Sequence, residues 1–196
     1  HSSIRDEILT TSLFFATVSV MLGFYLSDRP SPLALFFFTA ALTVLCGIIH
    51  SLLYAARKDV VTGLDNGNSF IRAQASLPLK YGLGIVCIDD YKHLAQIFKK
   101  SGIDEIVVMI AKKICELEPD AHVYRCGADE FIVIFPAAEK GASFARVDNI
   151  RRTVAASEFL LSGRKKALKL TVSCSVADKK RSDADVFEVF MRARKI

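Results

Sequence analysis

The stretch YRCGADEFIVIF, Tyr124 to Phe135, decides the fold. HVYRC leads into it as a short strand, and EFIVIF, rich in β-branched and aromatic residues, leaves it as a longer one. The whole reads as a hairpin whose tip carries Gly127, Ala128, Asp129 and Glu130. Two adjacent carboxylates on one tip repel each other. A solvated tip would tolerate any acid; alternatively, the pair is held there for its chemistry, and the surrounding chain has to separate the two readings.

Working outward, the region from about Asp59 to Ile196 alternates between elements. A polar turn, TGLDNGN, precedes a short helix near Ser69 to Leu77. YGLGIVCI is a strand, YKHLAQIFKK a helix, and DEIVVMIAKKICEL a second helix with Ile106, Met109, Ile110 and Ile114 on one face. After the hairpin come a helix from about Lys140 to Ser157, a strand LKLTVSCSVA, and a last helix from Asp183. The pattern predicts a single sheet covered by helices. No internal repeat or low-complexity tract interrupts it.

The other end of the chain has a different character. Hydrophobic residues make up 52% of the 196, and mean hydropathy is +0.32, with the excess concentrated near the N-terminus. Ile8 to Leu26 carries no charge, and Leu33 to Ala56 none apart from the ionisable His50; each is long enough to cross a hydrocarbon core of about 30 Å as a helix. Between them SDRPSP, Ser27 to Pro32, breaks the helix where it would meet water, so residues 1–57 read as a transmembrane hairpin and residues 58–196 as a separate domain. A cleaved signal peptide is disfavoured, because Asp6 and Glu7 flank the first run and a second span follows at once. Two buried core helices of a soluble bundle are the competing reading. A start at His1, without a methionine, leaves room for chain and further spans upstream.

Charge and cysteines orient this arrangement. Arg57 and Lys58 abut the second span while the connecting loop balances Arg29 with Asp28, which favours both ends in the cytoplasm. The segment up to Arg57 holds three basic and three acidic residues, so the net charge of +5 belongs to the rest of the chain. That excess suits anionic lipid or phosphate ligands; with no basic stripe interleaved with aromatics, it does not indicate nucleic acid. Cys46, Cys87, Cys115, Cys126 and Cys174 show no C-x-x-C or metal-finger spacing, as expected of thiols in a reducing compartment.

At this point the chain resembles a known family. DVVTGLDNGNSF is similar to the D-x-L-T-G-L-x-N-R-x-x-F opening of GGDEF domains, CIDDYK to their D-x-D-x-F-K strand end, RCGADEF to their R-Y-G-G-D-E-F signature, and LTVSCSVA to their T-x-S-x-G-V-A strand, in the same order and spacing. The resemblance implies an α/β (α+β) fold, a nucleotidyl-cyclase-like central sheet covered by helices and preceded here by the two spans. It implies the chemistry of diguanylate cyclases, in which two GTP condense to cyclic di-GMP in a head-to-tail dimer. Attack of a ribose hydroxyl on an α-phosphate needs a divalent cation, so carboxylates must converge on a hard metal. By resemblance Asp129, Glu130 and Lys92 would be catalytic. Asp104, Gly127, Ala128, Ala95 and Arg194 would surround the nucleotide: Lys92 and Arg194 toward its phosphates, Asp104 toward a guanine edge, the signature glycines leaving room for its approach. Asp129, Ile88, Cys87 and Asp89 occupy the metal positions. Mg²⁺ or Mn²⁺ would accompany a bound guanine nucleotide, a second copy or a partner membrane protein would be the companion, and the setting would be a bacterial inner membrane with the domain in the cytoplasm.

The departures from the family pattern fall at chemically sensitive positions. Cys87 stands where the first aspartate of D-x-D provides a ligand, and a thiol suits Mg²⁺ poorly. Ala95 and Gln96 replace an Asn-Asp pair, Ile103 replaces the glycine before Asp104, Ala128 replaces the second signature glycine, and Gly67 replaces an arginine. The family's inhibitory R-x-x-D site would fall at Glu118 and Ala121, neither of them the family's residue, with Asp120 one position off. These losses favour a degenerate domain serving as a regulatory or interaction module. A working cyclase that recruits Asp89 to the metal is the alternative, and a structural subunit that only docks on a partner shares the same sequence features.

Overall fold

A computed structural model describes residues 2–26, 30–73, 76–136, 141–164, 166–183 and 185–195. The chain divides into two compact units, His1–Lys58 and Asp59–Ile196.

The first unit is a pair of helices, α1 (Ser2–Leu26) and α2 (Pro30–Ala55), packed side by side. Small residues set their spacing. A Cβ on Gly47 would fall 2.3 Å from Ser12 Oγ, and one on Gly23 would fall 2.7 Å from Phe36 Cβ; Ser19 and Thr39 share a hydroxyl hydrogen bond of 2.9 Å across the seam. The outward faces are apolar: Phe14, Met21, Phe38 and Leu52 are all more than half exposed. Within α2, Ala34–Ala55 is a 22-residue stretch long and apolar enough to cross a membrane, whereas the apolar part of α1, Leu9–Tyr25, is shorter. The expected loop through Pro32 is reduced, because α2 begins at Pro30 itself. Proline lacks only an N–H that the first helical turn leaves unbonded anyway. Ser27 to Arg29 lie outside the described residues.

The second unit is a five-stranded sheet between two layers of helices. Its elements are β1 (Asp65–Asn66), α3 (Gly67–Ala73), β2 (Tyr81–Ile88), α4 (Tyr91–Ile97), α5 (Lys100–Leu117), β3 (His122–Arg125), β4 (Glu130–Pro136), α6 (Ala142–Ala156), β5 (Glu158–Phe159), β6 (Leu168–Lys169), β7 (Val172–Asp178) and α7 (Val186–Arg194). Strand order is β1-β3-β4-β2-β7, antiparallel except for β1 with β3. One face, with Val86, Phe131, Val133 and Phe135, packs on α5 and α6. The other, with Leu83, Ile85, Ile132 and Ile134, packs on α3 and α7. Strands covered on both sides read as continuous apolar runs, which is why β2 and β4 stand out in the sequence. The glycines of YGLG serve close approach: a Cβ on Gly84 would fall 2.7 Å from Val147 Cγ2, so α6 lies directly on β2.

The expected single sheet is corrected in two places. β5 and β6 form a separate two-stranded sheet, and LKLTVSCSVA is broken between Lys169 and Val172. The expected helix YKHLAQIFKK ends at Ile97, because Phe98 is extended and turns its ring into the core; α5 then starts afresh at Lys100. The first short helix is displaced toward the N-terminus, where the Asn66 side chain accepts from the Ser69 N–H at the helix start.

Candidate functional site

The hairpin of β3 and β4 is formed as expected, His122 pairing with Ile134 and Arg125 with Phe131. Its tip is closed by the Glu130 carbonyl, which accepts from the N–H groups of Cys126 (3.0 Å) and Gly127 (3.2 Å). The Ile88 N–H donates to the Asp129 carbonyl at 2.9 Å and fastens the tip to the end of β2. A Cβ on Gly127 would fall 3.2 Å from the Glu130 Cβ, so the turn tightens around a glycine there. The second signature position tolerates its side chain, since Ala128 is exposed.

Arg125 holds the turn from beneath. Its guanidinium donates to Asp59 Oδ2 at 2.8 Å and to the Ala128 carbonyl at 2.9 Å. Asp59 in turn accepts from the N–H and hydroxyl of Thr62, both at 2.8 Å. Burial alone would raise the Asp59 carboxyl, but the Arg125 hydrogen bond, the two Thr62 bonds and the Arg125 charge together hold it below its usual value. Sequence reasoning placed Arg125 and Asp59 inside motifs but did not pair them across 66 residues.

The side chains around the tip are strongly acidic. Cys87 is directly opposite Glu130 on β4 and Ser173 on β7. Its thiol is pushed up by burial first, then by the charges of Glu130 and Asp129, with Asp89 adding and Arg194 opposing. Cys126 packs against the same face as Cys87, and burial together with Glu130 pushes it up to about 12. Both thiols therefore stay protonated at neutral pH. Asp89 is tied to the Ser173 hydroxyl at 2.6 Å. Arg194, on the last turn of α7, reaches to 3.7 Å from Glu130 Oε2; at that separation, with the Arg194 side chain 62% exposed, the pair adds little to stability.

The residues singled out from the sequence are thus divided. Cys87, Asp89, Asp129, Glu130 and Arg194 interact at the tip, with buried Ile88 supplying backbone beside them. Lys92 and Ala95 are exposed on α4, and Asp104 is half-buried on α5; among the described residues none of the three is hydrogen-bonded to the tip. A left-handed residue, Asp90 at φ 53°, makes the turn from β2 into α4. Among the described residues no three His, Cys, Asp or Glu side chains converge on a point where they could hold a metal ion. A protonated thiol is a poor donor to a hard cation, and Asp89 is engaged by Ser173, so the side chains present fit Mg²⁺ poorly. Glu118, at the expected inhibitory position, is buried and paired with Arg146, whose Nε lies 2.6 Å from Oε2; it is part of the packing.

The fold and tip have counterparts among known proteins. Diguanylate cyclase DgcM of Escherichia coli K12 is 27% identical over 152 residues, 73% of this chain; the chain spans 35% of that relative's length. The coiled coil and GGDEF domain of DgcB from Caulobacter crescentus, solved in complex with c-di-GMP, superposes with a TM-score of 0.75 at 20% identity, covering 85% of this chain and 92% of that one. The FimX GGDEF domain from Pseudomonas aeruginosa gives 0.64 at 24% identity, covering 71% and 90%. At such identities these likenesses carry the fold. The model of the diguanylate cyclase GGDEF domain matches residues 56–195, most of the chain and every element of the second unit, and the chain therefore belongs to the GGDEF family.

Proposed function

We propose that the chain is a membrane-anchored GGDEF protein of cyclic di-GMP signalling whose domain is catalytically impaired, acting as a regulatory or interaction module that retains a guanine-nucleotide site at the hairpin tip. Cys87 carries this reading. It faces Glu130 across the sheet where the family pattern has an aspartate, and its thiol is held protonated by burial and by the neighbouring carboxylates. The metal that the reaction requires would neutralise a triphosphate and lower the pKa of the attacking hydroxyl. With a neutral thiol at one ligand position, this set offers too little charge stabilisation for that step. Arg194 and Lys92 can still attract phosphates, and Asp104 can accept from a guanine edge, so binding is the function these residues support best.

Anchoring rests on α2, whose apolar stretch has a mean hydropathy of 2.1 and is only 17% buried, unlike a core helix of a soluble bundle. The small-residue seam with α1 resembles the packing of helices in lipid, where close approach replaces the hydrophobic effect.

The test is to incubate the full chain with GTP and Mg²⁺ or Mn²⁺ and look for cyclic di-GMP. None above background is expected, and clear turnover overturns the reading. A working cyclase is the second reading, favoured by the intact Asp129–Glu130 pair with Arg194 beside it. There, turnover should be lost on Asp89→Asn, because Asp89 would have to replace the missing ligand.

A further inference from the structure

The loop that joins β5 to β6 bounds a cleft of about 770 Å³ that shares no residue with the hairpin tip. Its floor is apolar, made by Phe98, Leu161 and Leu168, and its rim carries Arg164, Lys166 and Lys169 against a single acid, Glu158. The loop is fixed in place at both ends. Glu105 on α5 accepts from the Ser162 N–H at 2.9 Å and from its hydroxyl at 2.7 Å. Gly163, at φ +80°, turns the chain, and the Arg164 guanidinium then lies 4.5 Å from the centroid of the Phe98 ring. The base of the loop is set by the pairing of Phe159 with Leu168 and of Glu158 with Lys169.

The three cations have no carboxylate partner in an ion pair among the described residues. Arg125, Arg146 and Arg192 are by contrast engaged, by Asp59, Glu118 and Asp183. Three cations against one carboxylate, Glu158, which lies opposite Lys169, leave an excess of positive charge suited to an anion around a cleft within the usual 300–1,000 Å³ range of ligand sites. Arg164 is preorganised by its stacking on Phe98, and guanidinium and ammonium groups together match phosphate.

We propose that this cleft binds a phosphate-bearing ligand with an apolar or aromatic body, the phosphate on Arg164, Lys166 and Lys169 and the body against the part-exposed Ala167 and Leu168. The phosphate belongs either to a free metabolite or to an anionic lipid headgroup. The site stands independently of whether the hairpin tip turns over GTP.

The experiment uses the full chain in neutral detergent micelles, with lysine acetylation followed residue by residue by mass spectrometry. One arm adds 1-naphthyl phosphate, and the other dopes the micelles with phosphatidylglycerol. Slowing at Lys166 and Lys169 by at least about threefold is expected in one arm, with exposed Lys112 on α5 unchanged. Protection by naphthyl phosphate alone assigns a free ligand; protection by phosphatidylglycerol alone assigns a headgroup. In the arm that protects, Arg164→Glu should abolish the slowing at Lys166 and Lys169 while leaving the circular dichroism unchanged. No protection in either arm, or equal slowing at Lys112, overturns the proposal.

Discussion

Arg125→Ala removes a side chain that hydrogen-bonds both to Asp59, at the start of the domain, and to the Ala128 carbonyl in the signature turn. The Arg125 side chain is 8% exposed and that of Asp59 21%, so each is largely withdrawn from water. Breaking a fully buried pair costs about 3–5 kcal/mol, chiefly through the charge left behind. Here Asp59 keeps its two bonds from Thr62 and some contact with solvent, and the Ala128 carbonyl lies on an exposed turn. The expected loss is therefore smaller, about 2–3 kcal/mol. In a double-mutant cycle with Asp59→Ala, the coupling should be about 1–2 kcal/mol, within the range for contacting residues. Urea titration read by pulse proteolysis of the full chain in micelles would measure it. The pH dependence gives an independent check. Because the Asp59 carboxyl is held below its ordinary value in the folded state, its contribution is fully present above its unfolded value and disappears as the pH falls through the folded one. The difference between parent and Asp59→Asn should thus be flat from pH 8 to 5 and shrink below about pH 4. A loss under about 0.5 kcal/mol for Arg125→Ala, or no coupling in the cycle, would refute the account.

Four further outcomes follow from the same geometry. Gly84→Ala should destabilise the domain by about 1–3 kcal/mol, since its Cβ would meet Val147 Cγ2 at 2.7 Å, and pairing it with Val147→Ala should recover part of the loss. Glu118→Ala should cost about 1–2 kcal/mol, less than a fully buried pair because Arg146 can reach water, and should leave cyclic di-GMP affinity unaltered by calorimetry. Cys87→Asp combined with Ala128→Gly should restore Mg²⁺-dependent binding of a non-hydrolysable GTP analogue, and adding Ala95→Asn should raise turnover more than binding, because misplacement by about 1 Å costs roughly a hundredfold. Alkaline carbonate extraction should leave the full chain in the membrane fraction, with a reporter after Ile196 reading as cytoplasmic.

The legible parts of the fold are those where local pattern and burial agree. YGLGIVCI is read as a strand from its β-branched and aromatic run, and β2 spans these same eight residues because both its faces are covered. Asp65–Asn66, two polar residues that pair in parallel with Tyr124 and Arg125, carry no periodicity at all. β5 and β6 are equally short, and the break after Lys169 follows from their pairing, which diverts LK from the strand that continues at Val172. At the tip, motif order brings attention to Cys87, Asp89, Asp129, Glu130 and Arg194, but their interaction depends on register across three strands. The bonds from Arg125 to Asp59 and from Ser173 to Asp89 span 66 and 84 residues, distances at which composition says nothing about contact.

At the tip, the residues that hold the turn are distinct from those that depart from the family pattern. Asp59, Arg125 and Gly127 keep the family pattern, and each makes a contact the turn depends on. Ala128 and Ala95 depart from it, and both are exposed. Cys87 is the instructive case, because it is half-buried and faces Glu130 with Asp129 and Asp89 acting on it. An aspartate there would add a further negative charge to a partly desolvated acidic cluster, a cost that only a bound cation offsets. A protonated thiol of similar size removes that repulsion. Without metal, cysteine is the more stable choice; with metal, aspartate is. Cys87→Asp should therefore lower the melting temperature of the metal-free protein and recover with added Mg²⁺, while the parent shows no such recovery. A Cys87→Asp variant as stable as the parent in the presence of chelator would mean that the carboxylates do not bear on this position, and the argument from Cys87 would fail with it.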